Sequence, residues 1–329
     1  MELLVLGGTE FVGRAVVEEA VGRGWQVTVF HRGRHPAPAG VRVLTGDREG
    51  DLGALAEGRW DAVVDTWSGA PGAVRASAEL LKGRVGGYAY VSSRSVYAYP
   101  TPAGLDESAP VVEGAEDAED ADYAAVKRGG ELAALKAFGD RALLARAGLV
   151  LGPWENIGRL PWWLNRIARG GEVLAPGPRD LGLQYVDARD LAAWMLDALA
   201  AGLGGPYNVV SEPGHTTMGE LLEECVAVTG SSAVLRWIPP EVVEAAGIEP
   251  WTELPVWLPP GELYDTLHRG DVSKALAAGL RCRPVADTVA DTWAWLRSLP
   301  GPPPQRPDRP AAGLPAAREA AALALLGAS

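Results

Sequence analysis

The chain has 329 residues, 47% of them hydrophobic, and a formal net charge of −12. That length supports one large or two modest domains with a buried core, and the acidic balance argues against a nucleic-acid partner, because phosphate binding needs a basic face. No apolar run reaches the ~20 residues that span a bilayer, and the N-terminal run is short and acidic at Glu2, so a cytoplasmic protein without a signal peptide is expected.

Glu2–Leu6 is predicted as a short buried strand that Gly7 and Gly8 break at once, and the apolar spacing of Phe11–Val21 predicts a helix ending near Gly22 and Gly24. Strand, glycine turn and helix open a dinucleotide-binding βαβ unit: backbone N–H groups at the helix N-terminus meet a pyrophosphate, and Gly13 lets helix and strand pack closely. The candidate contacts are Gly7, Thr9, Glu10, Phe11, Val12 and Gly13. The glycine frame is imperfect, because Glu10 stands at its middle place. A carboxylate beside a phosphate is unfavourable, so Glu10 is expected to turn outward, to solvent or to the substrate side.

A second strand, Gln26–Phe30, ends in His31-Arg32-Gly33-Arg34. An acidic residue here would hold the adenosine ribose 2′-OH, whereas a nearby Arg would accept a 2′-phosphate. No Asp or Glu is present, so Arg32 and Arg34 favour NADP over NAD, with NAD still open; solvated loop arginines are the plain alternative. Further strands are predicted at Val41–Leu44, Ala62–Asp65 and Gly87–Val91, with helical runs at Asp51–Glu57 and Ala70–Lys82. This alternation means a parallel, doubly wound α/β sheet with ligands beyond the carboxyl ends of its strands, where Gly7, Arg32, Asp47, Trp67 and Ser93 fall.

The acidic connection Asp106–Asp122 reads as a solvated loop or lid and leads into a helix from Tyr123 through Leu135. A sixth strand is predicted at Arg141–Arg146. Leu183–Val186 and the helix Leu191–Leu199 are expected to return to the sheet, with Tyr207–Val210 its seventh strand. Helices follow at Met218–Thr229, Glu241–Ala246, Asp271–Ala278 and Val285–Arg297. A Pro-rich linker from Pro300 then precedes a last helix, Ala316–Leu326, with Leu323, Leu325 and Leu326 available for docking. Cys225 and Cys282 fit no C-x-x-C pattern and the four histidines show no ligand spacing, so no metal centre is expected.

Tyr123 and Lys127 stand four apart, on one helix face. The chain has four lysines against 26 arginines, so a lysine one turn from a tyrosine suits a task that arginine does poorly. Holding a compact ammonium near a phenol, to lower its pKa while bonding a ribose, is such a task.

The pieces GGTEFVG, Gly46-Asp47, VSSRSVY at Val91–Tyr97, YAAVK at Tyr123–Lys127, RAGLVLGP at Arg146–Pro153, YVDARDLA at Tyr185–Ala192, YNVV at Tyr207–Val210 and DVSKALAAGL at Asp271–Leu280 stand in a familiar order. With them the chain resembles an extended short-chain dehydrogenase/reductase of the NAD-dependent epimerase/dehydratase family, from Leu3 to about Leu299. The resemblance implies Tyr123 as general acid/base, Lys127 as its support and ribose ligand, and Ser93 as the hydroxyl on the substrate oxygen. It implies Asp47 on the adenine with Arg48 beside it, and coenzyme contacts from His31, Arg32, Thr66, Trp67 and Ser92.

The fold expected is a Rossmann domain, 1–150 plus 183–210, holding a seven-stranded parallel sheet. A smaller α/β substrate domain would take 151–182 and 211–299, followed by the linker and helix at 300–329. Substrate contacts are expected from Ser95, Trp154, Asn156, Trp162, Trp163 and Tyr185. Tryptophans at 154, 162, 163, 237, 251 and 257 lean towards an apolar or aromatic substrate, although core packing is their commoner use.

Sugar-nucleotide members of the family carry an Arg where this chain has Leu183 beside Gln184, and a Thr-Asp-Glu triplet in dehydratases where it has Ser93-Arg94-Ser95. These departures favour an NAD(P)-dependent oxidoreductase of a small, largely apolar metabolite. The alternatives are an epimerase of a sugar or cyclitol with tightly bound NAD(P), and a non-catalytic cofactor-sensing or RNA-associated relative. The expected partners are a small-molecule substrate and at most a second copy in a homodimer, without nucleic acid or membrane.

Overall fold

The computed structural model describes residues 1–119 and 121–326. Glu2–Leu6 (β1) lies inside a seven-stranded sheet, and its Leu-Leu-Val-Leu run is buried on both faces, as a parallel strand between two helical layers requires. The other strands are Gln26–His31 (β2), Arg42–Thr45 (β3), Trp60–Asp65 (β4), Val85–Ser93 (β5), Ala142–Ala147 (β6) and Gly205–Val209. Their spatial order is Gly205–Val209, β6, β5, β4, β1, β2, β3, and every pairing is parallel. The chain runs outward from β1 through β2 and β3, then crosses back to β4 on the other side. Beyond the carboxyl ends of β1 and β4 the order reverses, which is where an open α/β sheet receives its ligand.

Helices Phe11–Gly22 (α1), Gly72–Leu81 (α2) and Tyr123–Phe138 (α3) make the crossovers nearest this point. Leu4, Leu6, Phe30, Val63, Tyr88 and Tyr90 of the sheet share one core with Val74, Ala78, Ala133 and Ala134 of α2 and α3. Close approach of α3 depends on Gly130, where a Cβ would stand 2.4 Å from the Tyr90 hydroxyl.

Two expectations from the sequence are corrected. Asp51–Glu57 forms only one 3₁₀ turn, Gly53–Leu55, because Leu55 alone in that turn has a buried face and Gly53 favours no helix. Leu183–Val186 does not join the large sheet. Gly182–Leu183 pairs antiparallel with Thr216–Thr217, and Tyr185–Asp187 pairs with Leu149–Leu151. Gln184 between them is fully buried, its N–H donated to His268 Nδ1.

The chain divides into two units. The larger takes Met1–Gly148, Ala188–Val210 and Gly270–Cys282, the last a segment that the sequence reading places with the smaller domain. The smaller takes Leu149–Asp187, Ser211–Arg269 and Arg283–Ser329. Its core explains the tryptophans. Trp163 and Trp257 are fully buried, their indole N–H groups donated to the carbonyls of Pro255 (2.7 Å) and Gly177 (2.9 Å). Trp154, Trp162, Trp237 and Trp251 pack against the same cluster.

The helix Ala316–Leu326 closes the described chain. Leu314 and Ala322 are buried in the smaller core, Leu323 packs against it, and the Glu319 carboxylate accepts from Arg166 and from Leu174 N. The side chains of Leu325 and Leu326 lie outside the described residues. Among the described residues no helix is long and apolar enough to cross a membrane, and no group of three or more His, Cys, Asp or Glu could hold a metal ion.

Candidate active site

The turn after β1 uses backbone that L side chains rarely adopt, with φ +111° at Gly7 and +90° at Gly8. A Cβ on Gly13 would stand 2.7 Å from Gly8 N, so α1 begins directly against this turn. Phe11, its first residue, holds φ +33°, a strain of about 1–3 kcal/mol at the helix entrance. No side chain caps α1. The N–H groups of its first turn and the positive end of its dipole therefore form an anion-ready surface.

Glu10 is the N-cap residue in extended conformation, and its side chain makes no cap hydrogen bond to the helix. Its Oε1 lies 3.7 Å from Nε2 of His35, with both side chains about half exposed.

His31 ends β2 where a ribose-binding acid would stand. Its Nδ1 accepts from Gly33 N at 3.2 Å, and burial, helped by His35, pushes its pKa below the usual value. The neutral ring then carries its proton on Nε2, a buried atom without a hydrogen-bond partner. An uncapped helix start and an orphaned donor at the end of β2 both fit the phosphate and ribose of a dinucleotide. Arg32 and Arg34 are exposed on the same loop.

Arg48, expected beside the adenine, is buried at 6% exposure. Its guanidinium turns inward and meets both oxygens of Asp65 (2.9 and 2.7 Å), Ser77 Oγ (2.9 Å) and the carbonyl of Ala73 (3.2 Å). Burial opposes the charge on Asp65, but Arg48, together with hydrogen bonds from Tyr88 and Trp67 N, outweighs it and holds the carboxyl below its usual range. Asp47 shapes the adjoining turn by accepting from Glu49 N. Thr66 Oγ1 is donated to the carbonyl of Leu6 and Trp67 Nε1 to that of Ala70, so both side chains brace the ends of β1 and β4. Ser92 is likewise structural. Its hydroxyl is donated to Glu131, which also holds Arg146 in a bidentate pair.

Ser93 ends β5 and caps the single turn Arg94–Val96, accepting from Ser95 N; its hydroxyl also lies 3.1 Å from Ser95 Oγ. Tyr123 opens α3 behind Asp122, which accepts from Ala125 N. With 38% exposure Tyr123 is among the few accessible large aromatic side chains, whereas Lys127, one turn on, is 3% exposed. The Lys127 ammonium donates to the carbonyls of Trp67 and Val91, each at 2.7 Å, and stands 4.8 Å over the Tyr90 ring. It therefore bridges the ends of β4 and β5, the strands next to the switch point. All of these residues belong to the larger unit.

The expected substrate residues of the smaller unit are placed differently. Trp163 and Tyr185 are core residues. The carbonyl of Asn156 accepts from Arg306 N (2.9 Å), and Gly313 lies against the Trp162 indole, so both meet the C-terminal segment. Trp154 meets Trp295 with ring centroids 5.7 Å apart and planes tilted by 40°. The lean towards an apolar substrate thereby loses its footing.

Two buried charges escaped the sequence reading. Arg94, between Ser93 and Ser95, is buried and its pKa is pushed down to about 10 by desolvation. Glu155 is fully buried, accepts from the N–H groups of Arg159 (2.7 Å) and Leu160 (3.2 Å), and has a pKa raised by burial to about 7. Capping-type spacing before Arg159 was the available signal for the second; nothing local announced the first.

Residues 67–210, which include Trp67, Ser93, Tyr123 and Lys127, match the NAD dependent epimerase/dehydratase family. That stretch belongs to this family. The glycine turn lies outside the matched stretch, and there the likeness to epimerase/dehydratase enzymes is one of fold. A Burkholderia cenocepacia J2315 protein crystallised as a candidate epimerase is 22% identical, with TM-score 0.67, over 91% of this chain and 98% of its own. UDP-N-acetylglucosamine 4-epimerase from Bacillus cereus is 17% identical (TM-score 0.65; 91% and 100% covered). DesIV, a dTDP-glucose 4,6-dehydratase from Streptomyces venezuelae with NAD and TYD bound, is 20% identical (TM-score 0.63; 90% and 97% covered). No curated protein matches in sequence.

Proposed function

We propose that the chain is a nicotinamide-coenzyme-dependent enzyme of the epimerase type, which oxidises a secondary alcohol and reduces the product again while keeping its coenzyme. The observation that carries this reading is the placing of Lys127, one turn after Tyr123, on the carbonyls of Trp67 and Val91, with Ser93 at the carboxyl end of β5, in the same unit as the uncapped α1. The family match and the epimerases and dehydratases among its structural likenesses support it.

When bound, the coenzyme accepts and returns a hydride. Tyr123 takes the hydroxyl proton as the carbonyl forms and gives it back on reduction. Ser93, oriented by Ser95, holds the substrate oxygen. Lys127 keeps a positive charge at the strand ends and has ammonium geometry suited to ribose hydroxyls. Arg32 and Arg34 support a phosphorylated coenzyme, NADP; NAD, which DesIV binds, is the other candidate.

The substrate class that suits this reading is a sugar or cyclitol without a nucleotide diphosphate. Leu183 and Gln184 are buried and offer no cation. Dehydration finds no acid and base at Ser93-Arg94-Ser95. The same lack of a diphosphate site favours, as a second reading, a reductase of a small carbonyl or imine compound.

Added NADPH or NADH separates the two. An epimerase retains its coenzyme through gel filtration and shows no net consumption, whereas a reductase oxidises one equivalent per product. Tyr123→Phe is expected to lower kcat more than ~10²-fold with coenzyme affinity nearly unchanged, since general acid–base transfer contributes about that much. A fully active Phe variant overturns both readings.

A further inference from the structure

We infer that Glu10 is a coenzyme-specificity residue whose carboxylate, 3.7 Å from His35 of the β2–β3 connection, biases the site against a 2′-phosphate. The inference rests on the coenzyme reading above and deepens it.

Glu10 stands at the middle of a glycine frame, where a side chain is unexpected, and as N-cap of α1 it bonds none of the helix N–H groups. Its carboxylate lies instead 3.7 Å from His35. That contact joins the start of α1 to the loop after β2, the same two elements between which the adenosine half of a dinucleotide lies. With Glu10 and His35 about half exposed, both remain within reach of a ligand.

A carboxylate in this place acts oppositely on the two coenzymes. A ribose 2′-hydroxyl can donate a hydrogen bond to it, as to the acid that β2 lacks at His31. A 2′-phosphate carries close to two negative charges and is repelled. Arg32 and Arg34 pull the other way. His31, neutral through burial, offers only a donor. The balance between NADP and NAD is thus set by Glu10 against the loop cations.

The test is titration of the full chain with NADPH and with NADH, followed by coenzyme fluorescence at fixed pH and about 0.1 M salt, where screening between half-exposed charges is moderate. Glu10→Gln is expected to raise the NADPH-to-NADH affinity ratio by about two- to fivefold, chiefly through tighter NADPH, because one exposed charge contact is worth roughly that much. Arg32→Gln is expected to weaken NADPH alone. An unchanged ratio in Glu10→Gln, with both coenzymes still bound, overturns the inference and leaves the coenzyme reading standing. Failure of the wild type to bind either coenzyme overturns both.

Discussion

Lys127 shows how little freedom a single side chain has at this site. Its ammonium is almost entirely buried and reaches two carbonyls that end adjacent strands. A guanidinium spreads its donors over a plane and cannot occupy the same point between Trp67 and Val91. Lys127→Arg is therefore expected to lower kcat/KM at least ~10-fold despite the retained charge, because misplaced positioning groups cost that much or more; activity near wild type would show that charge alone suffices. The lysine was legible in the sequence because its partner tyrosine is four residues away on the same helix. The inward bonds of Arg48 and Ser92 were not legible, for the opposite reason. Their partners, Asp65 and Glu131, stand 17 and 39 residues along the chain, and only the folded sheet brings them together.

At the scale of elements, local periodicity carried most of the fold. The glycine turn, α1 and the helices Met218–Thr229 and Ala316–Leu326 follow directly from spacing and punctuation. The helix Arg159–Ala168 (α4) was not legible, since its Leu-Pro-Trp-Trp start looks like irregular chain. What begins it is Glu155, whose two carboxylate oxygens accept the first N–H groups of α4 from inside the core.

This arrangement has a pH signature. The Glu155 pKa is raised from 4.5 to about 7 by burial, so folding takes up a proton between those values. Its contribution to stability is fully present below about pH 4.5 and is lost as pH rises through about 7, with a ceiling of roughly 3 kcal/mol at 1.4 kcal/mol per pKa unit. Glu155→Gln keeps an acceptor for α4 and removes the titration. Its melting temperature is expected to lose the decline between pH 5 and 7 that the wild type shows; parallel profiles would assign the decline to another group.

On the scale of the whole molecule, the two units bury different things. The larger one spends its core on aliphatic strands and small residues of α2 and α3, and carries every group of the candidate catalytic set. The smaller one is built around tryptophan and is completed by the last segment of the chain. Composition counted the tryptophans correctly but could not say that Arg306, Gly313 and Glu319, far along the sequence, are what Asn156, Trp162 and Arg166 meet. The Arg166–Glu319 pair is nearly buried on both sides. Removing one partner of such a pair strands the other charge, a loss of about 3–5 kcal/mol. Glu319→Ala is thus expected to lower the melting temperature of the smaller unit by several degrees. Coenzyme affinity, which belongs to the larger unit, should stay within about twofold, since sites without shared partners behave nearly additively. Scanning calorimetry paired with NADH and NADPH titration checks both halves at once. Loss of coenzyme binding in Glu319→Ala would mean that the tail governs the catalytic unit as well as its own.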